Sequence, residues 1–436
     1  MKILKFGGTS VGSEERIQNL AQIVQNEKPC IVVLSAMAGT TNALVEITEL
    51  LYTGDNKNAL EKIELLEKKY ENRIEKLYAS KEYLNKGYEL IQSHFVFIKG
   101  FVHKSFTQLQ EKAILAQGEL ISTAMFHYHL AENNIDSTLL PALNFMRIDK
   151  DGEPDNYYVQ ENLKREISQY PESNLFITQG YICRNAYGEV DNLHRGGSDY
   201  SASLIGVAID AEEVQIWTDI DGFHNNDPRF VNETHAISEL SFDEAAELAY
   251  FGAKIMHPAS VLPCKESNIP VRLKNTLSPV DAGTLISNKL ERKGVKAIAA
   301  KDGITAVKIK SGRMLLAYGF LRKIFEVFEI YKTPIDMITT SEVAVSLTID
   351  DTSNLIEIEK ELNKFGIVEI DQNQSIICIV GDFISENSGS AKIVLEALEQ
   401  IPLRMISYGG SNHNITVLVN QEYKVEALKA LNQLFN

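Results

Sequence analysis

The chain has 436 residues, 44% hydrophobic and 23% charged, with 59 acidic side chains against 43 basic ones and a formal net charge of −16. That length exceeds what one hydrophobic core usually organises, so two or more domains are expected. The acidity argues against sequence-independent nucleic-acid binding, which draws its affinity from basic patches. No apolar run is long enough to cross a bilayer, so no membrane partner is expected. Residues 1–6 run into glycines without the apolar stretch of a signal peptide. Cys30, Cys183, Cys264 and Cys378 are far apart in sequence, which suggests reduced, buried thiols in a cytoplasm and neither a disulfide framework nor a zinc site. In so acidic a protein an anionic substrate must be held by a few cations, which gives weight to Lys or Arg beside glycine-rich loops.

In chain order, residues 3–6 form a first predicted strand, and 13–26 an amphipathic helix with Ser13 as its cap and Glu14 and Glu15 in its first turn. Residues 30–34 are a buried strand. Residues 58–95 are charged and helix-prone, with Leu60, Ile63, Leu66 and Tyr70 on a 3–4 spacing, which predicts a helical excursion on the outer face without chemistry. A long helical pattern covers 113–132, and 175–178 and 214–217 are two more strands. Strands alternating with helices predict an α/β domain with a largely parallel sheet over residues 1–293.

The last third repeats one unit. Helix 319–332 leads into Pro334-Ile335-Asp336-Met337-Ile338-Thr339 and strand 343–348; helix 389–400 leads into Pro402-Leu403-Arg404-Met405-Ile406-Ser407 and strand 415–419. The two prolines are 68 residues apart. Such duplication predicts two small βαββαβ modules, at 294–375 and 376–436, with the strand-like stretch 294–300 able to join the second. Small paired modules behind an enzyme are more often regulatory than catalytic.

Lys5-Phe6-Gly7-Gly8-Thr9-Ser10 puts a lysine, two glycines and two hydroxyls between a strand and a helix. Glycines let backbone N–H groups approach phosphate oxygens, and the helix N-terminus and the lysine add positive charge. The lysine precedes the glycines, so this is not the usual P-loop order, and a structural turn alone would also explain it. Two further loops each open a helix: Ser35-Ala36-Met37-Ala38-Gly39-Thr40-Thr41-Asn42 and His194-Arg195-Gly196-Gly197-Ser198-Asp199-Tyr200. Loops at the carboxyl ends of parallel strands converge on one crevice, so Lys5, Thr41, Arg195 and Asp199 describe a site for an anionic substrate.

These residues resemble the signature of the aspartokinases, within the amino-acid kinase superfamily. The likeness continues in order through Gly118-Glu119-Leu120, Gln179-Gly180-Tyr181, Trp217-Thr218-Asp219, Asn226-Asp227-Pro228-Arg229, Phe251-Gly252-Ala253-Lys254 and Ile338-Thr339-Thr340-Ser341-Glu342. It covers nearly the whole chain except the stretch around 58–95. It implies ATP-dependent phosphorylation of the L-aspartate side-chain carboxylate, the first step of lysine, threonine and methionine biosynthesis. Lys5 and Asp199 are then catalytic, with Lys5, Gly7, Gly8 and Ser35 around the phosphates. Thr41, Glu119, Tyr181, Arg195 and Ser198 hold the substrate, Glu119 through its ammonium and Arg195 through a carboxylate.

Thr218, Asp219, His224, Arg229 and Lys254 are expected on the nucleotide. Asp219 could meet an adenosine hydroxyl or a metal shell, His224 stands where the family often has tyrosine, and residues 227–229 could be only a turn. Mg2+ is expected with ATP, held largely by phosphates and water, since no carboxylate cage is visible. The repeated modules resemble paired ACT domains. Asp336 in the first copy suits a ligand ammonium, whereas the second has Arg404 in its place. An effector pocket is therefore expected from Met314, Gly319, Phe320, Leu321, Ile335, Asp336, Thr340, Ser341 and Glu342, although Asp336 could simply lie in a surface loop. The Ile-Thr-Thr-Ser-Glu pattern is most similar to the lysine-sensitive type and favours lysine over threonine as inhibitor. ACT modules commonly pair between chains, so a homodimer is expected, with a tetramer as the alternative. The chain stops soon after the second module, so a monofunctional enzyme is expected. A kinase for another acidic amino acid, and a non-enzymatic amino-acid sensor on the same fold, are the competing readings.

Overall fold

The computed structural model describes residues 1–193, 196–252, 256–288, 294–312, 318–382 and 388–435. They fall into two compact units, the described residues of Met1–Phe223, Ser238–Phe242 and Ile255–Lys289, and those of His224–Ile237, Asp243–Lys254 and Leu290–Asn436. The second unit thus takes in two segments that lie before the boundary expected at 293.

The first unit opens with β1 (Lys2–Phe6), α1 (Glu14–Asn26) and β2 (Cys30–Leu34). The α1 cap is Ser13, whose side chain accepts the Arg16 N–H. Four helices follow, α2 (Thr40–Thr53), α3 (Asn56–Leu77), α4 (Lys81–Lys99) and α5 (Gln108–Leu115). Then come α6 (Gln117–Glu132), β3 (Thr138–Leu140), α7 (Asn156–Ser168) and β4 (Leu175–Gln179). A hairpin of β5 (Ile182–Arg184) and β6 (Val190–Asn192) leads to α8 (Gly197–Ala208) and β7 (Val214–Thr218). After β8 (Glu239–Ser241) the chain enters α9 (Phe242–Phe251), which beyond Phe242 belongs to the second unit, and the first unit resumes with α10 (Leu262–Glu266), β9 (Val271–Asn275) and β10 (Thr284–Ser287).

These strands build an eight-stranded sheet in the order β3-β4-β2-β1-β7-β9-β10-β8, parallel throughout except between β9 and β10. β2 and β4 are buried at every residue, as strands covered by helices on both faces must be. The helical excursion forms as predicted, with Ile63, Leu66 and Tyr70 of α3 in the same core as Leu4, Val32 and Leu34. The pattern predicted over 113–132 is broken between α5 and α6.

The second unit contains a six-stranded antiparallel sheet, β12-β13-β11-β14-β16-β15. Its elements are β11 (Gly294–Lys310), α11 (Phe320–Ile330), β12 (Ile338–Thr340), β13 (Ala344–Ile349), α12 (Leu355–Leu362), β14 (Ile367–Asp382), α13 (Ser390–Ala397), β15 (Leu403–Tyr408), β16 (Asn414–Asn420) and α14 (Lys424–Asn432). The central pair β11 and β14 is long enough to serve two modules. Residues 305–310 pair with β13 and residues 306–310 with the start of β14, over a core of Val307, Ile324, Phe328, Leu347 and Ile358. Residues 294–301 pair with the end of β14, which pairs onward with β16 over a core of Ile298, Ile377, Val394, Val417 and Leu428. One ACT-like module is therefore inserted within the other. The segment 224–237 joins the second of these cores through Val231, and the Asn226 amide donates to Leu428 O at 2.9 Å and Asn432 Oδ1 at 3.1 Å on α14.

Candidate active site

β4, β2, β1 and β7 are adjacent and parallel, so the loops that follow them leave the same edge of the sheet. Lys5 is the penultimate residue of β1, and its Nζ lies 2.6 Å from Asp199 Oδ1 in the first turn of α8. Beyond Phe6 the Gly8 carbonyl accepts the Ala38 N–H at 3.0 Å. A Cβ on Gly8 would come within 2.6 Å of the Ala36 carbonyl, so only glycine permits this approach. Ser35 donates its N–H to Phe6 O at 3.2 Å and its hydroxyl to Ser198 Oγ at 2.9 Å. Gly180 donates to Leu34 O at 2.9 Å, and a Cβ there would overlap Ser198 Cβ at 2.4 Å. The loops after β1, β2 and β4 and the start of α8 thus interlock through backbone contacts that side chains would break.

Glu119, on α6, is only 4% exposed. Its Oε1 accepts the Ala36 N–H at 3.2 Å, while Oε2 is buried and has no hydrogen-bond partner among the described residues. Burial pushes its pKa up to about 7, against the opposing backbone hydrogen bonds. A buried carboxylate oxygen without a donor costs free energy unless a ligand completes it. Gly118 lets α6 come this close, because a Cβ there would lie 2.7 Å from Ala36 Cβ. Tyr181 follows Gly180 in the left-handed region at φ 67°, fixed by its N–H to Ser201 Oγ at 2.8 Å and by the Leu193 N–H on its carbonyl. Backbone strain of this kind in a non-glycine residue tends to collect at functional sites. Burial, and then the charge of Glu119, push its phenol up to about 12.

Of the residues expected on substrate and phosphate, Lys5, Gly7, Gly8, Ser35, Glu119, Tyr181, Ser198 and Asp199 lie on these interlocked loops and helix starts. Thr41 is exposed in the first turn of α2, behind Gly39 at φ 79°. Thr218 ends β7 and donates to Asp219 Oδ1 at 3.3 Å. His224 and Arg229 belong to the second unit. The His224 ring meets Thr234 Oγ1 at 3.3 Å. The Arg229 fork closes on Asp227, with Nε 2.9 Å from Oδ1 and Nη2 2.6 Å from Oδ2, and Asp227 Oδ1 also accepts the Arg229 N–H at 2.9 Å, a local turn. Arg195, Lys254 and Met314 lie outside the described residues.

Two contacts were not foreseen. Tyr70 of α3 shares a hydrogen bond with Thr40 Oγ1 at 2.8 Å, both residues buried, and Lys69 Nζ sits 3.4 Å from the Ala38 carbonyl. The excursion expected to carry no chemistry therefore touches the loop before Thr41. The only hint in the sequence is that the third helix buries a hydroxyl-bearing ring on an otherwise aliphatic stripe. Gln179 donates to Thr123 Oγ1 at 2.8 Å and accepts the Ala142 N–H at 2.8 Å. No group of three or more His, Cys, Asp or Glu side chains that could hold a metal occurs among the described residues.

The expected effector residues occupy the first ACT-like module. Gly319 caps α11 at φ 77°, Phe320 and Ile335 pack on the module core, and Leu321 is 38% exposed. Thr340 ends the edge strand β12, Ser341 donates to Ala344 O at 2.8 Å, and Glu342 is exposed. The Asp336 side chain is only 1% exposed and accepts from Lys301 Nζ at 2.8 Å and the Tyr250 hydroxyl at 3.0 Å. Arg404, its counterpart in the second copy, pairs with Asp371.

The profile of the amino acid kinase family matches residues 1–275, and that of an ACT domain matches residues 377–435. The chain is 34% identical to the lysine-sensitive aspartokinase 3 of Escherichia coli over 442 residues, 98% of each chain. The crystal structure of Escherichia coli aspartokinase III in complex with lysine and aspartate superimposes with a TM-score of 0.86 at 33% identity, covering 100% of both chains. The same enzyme in complex with aspartate and ADP gives a TM-score of 0.80. With this agreement in sequence and fold along its whole length, the chain belongs to the aspartokinases of the amino acid kinase family.

Proposed function

We propose that the protein uses ATP to phosphorylate the side-chain carboxylate of L-aspartate, and that L-lysine inhibits it through the first ACT-like module. The observation that carries the catalytic half is Glu119, a buried carboxylate with one oxygen unsatisfied, on loops shared with the Lys5–Asp199 pair. The substrate ammonium completes the Glu119 oxygen. The reacting carboxylate is ionised at neutral pH, since its ordinary pKa is about 4, so no general base is needed. Phosphoryl transfer then depends on alignment and on neutralising charge over the transferred group. Asp199 holds the Lys5 ammonium at the strand end until the γ-phosphate arrives, and the Gly7 and Gly8 N–H groups add donors, as does the Ser35 hydroxyl once it turns from Ser198.

Thr41, Tyr181 and Ser198 complete the substrate pocket, and Arg195 grips the α-carboxylate as the resemblance implies. Thr218 and Asp219 are proposed on the nucleotide, as are His224, Lys254 and Arg229, the last exchanging Asp227 for phosphate. Mg2+ would accompany ATP, held largely by phosphates and water, and would supply charge neutralisation there. We place the protein in the cytoplasm, where its four buried thiols stay reduced, and as a homodimer joined through the regulatory modules, where all of edge strand β12 is exposed.

Retention of Lys5, Glu119 and Asp199 together counts against a catalytically dead sensor. A coupled assay of ADP release tests the proposal. L-aspartate should support turnover, L-glutamate should not, and added L-lysine should suppress it. Turnover with L-glutamate but not L-aspartate would refute the substrate assignment.

A further inference from the structure

Lys301, on β11, is held by more than one partner. Its Nζ lies 2.8 Å from Asp336 Oδ1, 2.8 Å from Asp350 Oδ2 and 4.9 Å from the centre of the Tyr250 ring. The Tyr250 hydroxyl donates to the same Asp336 oxygen at 3.0 Å. Two carboxylates and an aromatic face are the groups that recognise a primary ammonium. Asp336 Oδ2 is buried and without a partner among the described residues. The site therefore offers an acceptor that its resident cation leaves unused, although an ammonium has three donors.

We propose that Asp336, Asp350 and Tyr250 form an ammonium cage filled from within the chain by Lys301, and that an amino-acid effector binds by displacing it. This rests on the effector role proposed for Asp336. Exchange of one ammonium for another never leaves the buried carboxylate uncompensated, which is the costly step in opening an ion pair. Lys301 is 21% exposed and Asp350 39% exposed, so the displaced lysine can swing outward and keep Asp350 as its partner. A tethered competitor acts at an effective concentration of order millimolar, which sets the free amino-acid level at which the site responds.

The backbone beside the cage is closely packed. Tyr250 lies two residues before Gly252, where a Cβ would stand 2.5 Å from the carbonyl of Ala300, the residue before Lys301. The second module has no such cage, because Arg404 replaces the aspartate and pairs with Asp371.

The test is isothermal titration of L-lysine into the full chain. If Lys301 fills the cage for about nine-tenths of the time or more, removing it raises the apparent affinity about tenfold or more. Lys301→Met should therefore bind L-lysine at least about tenfold more tightly than the wild type. Lys301→Arg, whose fork can bridge both carboxylates, should bind no more tightly than wild type. The arginine variant keeps the test open if the methionine variant fails to fold, which its melting curve reports. Asp336→Asn should abolish binding. Loss of binding in Asp336→Asn with unchanged or weaker binding in Lys301→Met, or tighter binding in Lys301→Arg, overturns the competitor role and leaves the effector assignment standing. Equal binding by wild type and Asp336→Asn, or none by wild type, overturns both.

Discussion

Tyr70 and Thr40 meet hydroxyl to hydroxyl at 2.8 Å in the buried seam between α3 and the first turn of α2. Tyr70→Phe keeps the ring and leaves the Thr40 hydroxyl without its partner, a loss of about 1–3 kcal/mol for a buried group. Because Thr41 is the next residue, the KM for aspartate should rise about fivefold or more. The KM for ATP should stay near wild type. Steady-state kinetics with each substrate varied separates the two, and an equal rise in both would assign Tyr70 to general stability.

The raised pKa of Glu119 gives aspartate binding a pH dependence of defined sign. Below about pH 7 the carboxyl is protonated and cannot hold an ammonium, and above it the carboxylate is available. The KM for aspartate should therefore fall as pH rises from 6 to 8, and calorimetry in buffers of different ionisation enthalpy should show proton release on binding near pH 6.5. A flat profile would remove Glu119 from the ammonium site.

The same shift predicts a stability trade. The folded state keeps a proton that the unfolded chain gives up near its ordinary pKa of 4.5, so folding becomes less favourable as pH rises from there to about 7. At about 1.4 kcal/mol per unit, the burden at pH 8 is roughly 3 kcal/mol. Glu119→Gln should therefore melt at a higher temperature than wild type at pH 8, show little gain near pH 4.5, and lose aspartate binding at pH 8.

Gly7 and Gly8 should respond differently to alanine. A Cβ on Gly8 would press to 2.6 Å on a backbone carbonyl, whereas one on Gly7 would meet only the Lys5 ammonium at 3.7 Å. Thermal unfolding should show a loss of about 1–3 kcal/mol for Gly8→Ala and much less for Gly7→Ala.

Much of this fold is local in origin and was legible. The strands at 3–6, 30–34, 175–178 and 214–217 are short apolar runs, and Ser13 caps its helix as the sequence pattern predicts. The duplication at Pro334 and Pro402 was also visible. The insertion of one module within the other was visible only as the stretch 294–300 that could join the second module, because it depends on β11 pairing with a strand about seventy residues later. Glu119 stands on a helix where amphipathic spacing alone predicts a solvated face, and only its neighbour Gly118 signals close packing. The cage around Asp336 was half visible. The contrast with Arg404 singled out the carboxylate, but nothing in the sequence tied it to Lys301, 35 residues earlier. For Arg229 the sequence offered both a phosphate contact and a plain turn, and its side chain and N–H close on Asp227 in that turn.

Transfer of phosphate to the aspartate carboxylate at the Lys5 strand end is the central claim. It is tested most directly by hydroxylamine trapping of the acyl phosphate, with wild type and Lys5→Met compared at saturating ATP and L-aspartate. The wild type should accumulate the aspartyl hydroxamate, and Lys5→Met, folded by circular dichroism, should form it at least about a hundredfold more slowly. Hydroxamate formation by Lys5→Met at a rate close to wild type would contradict the account.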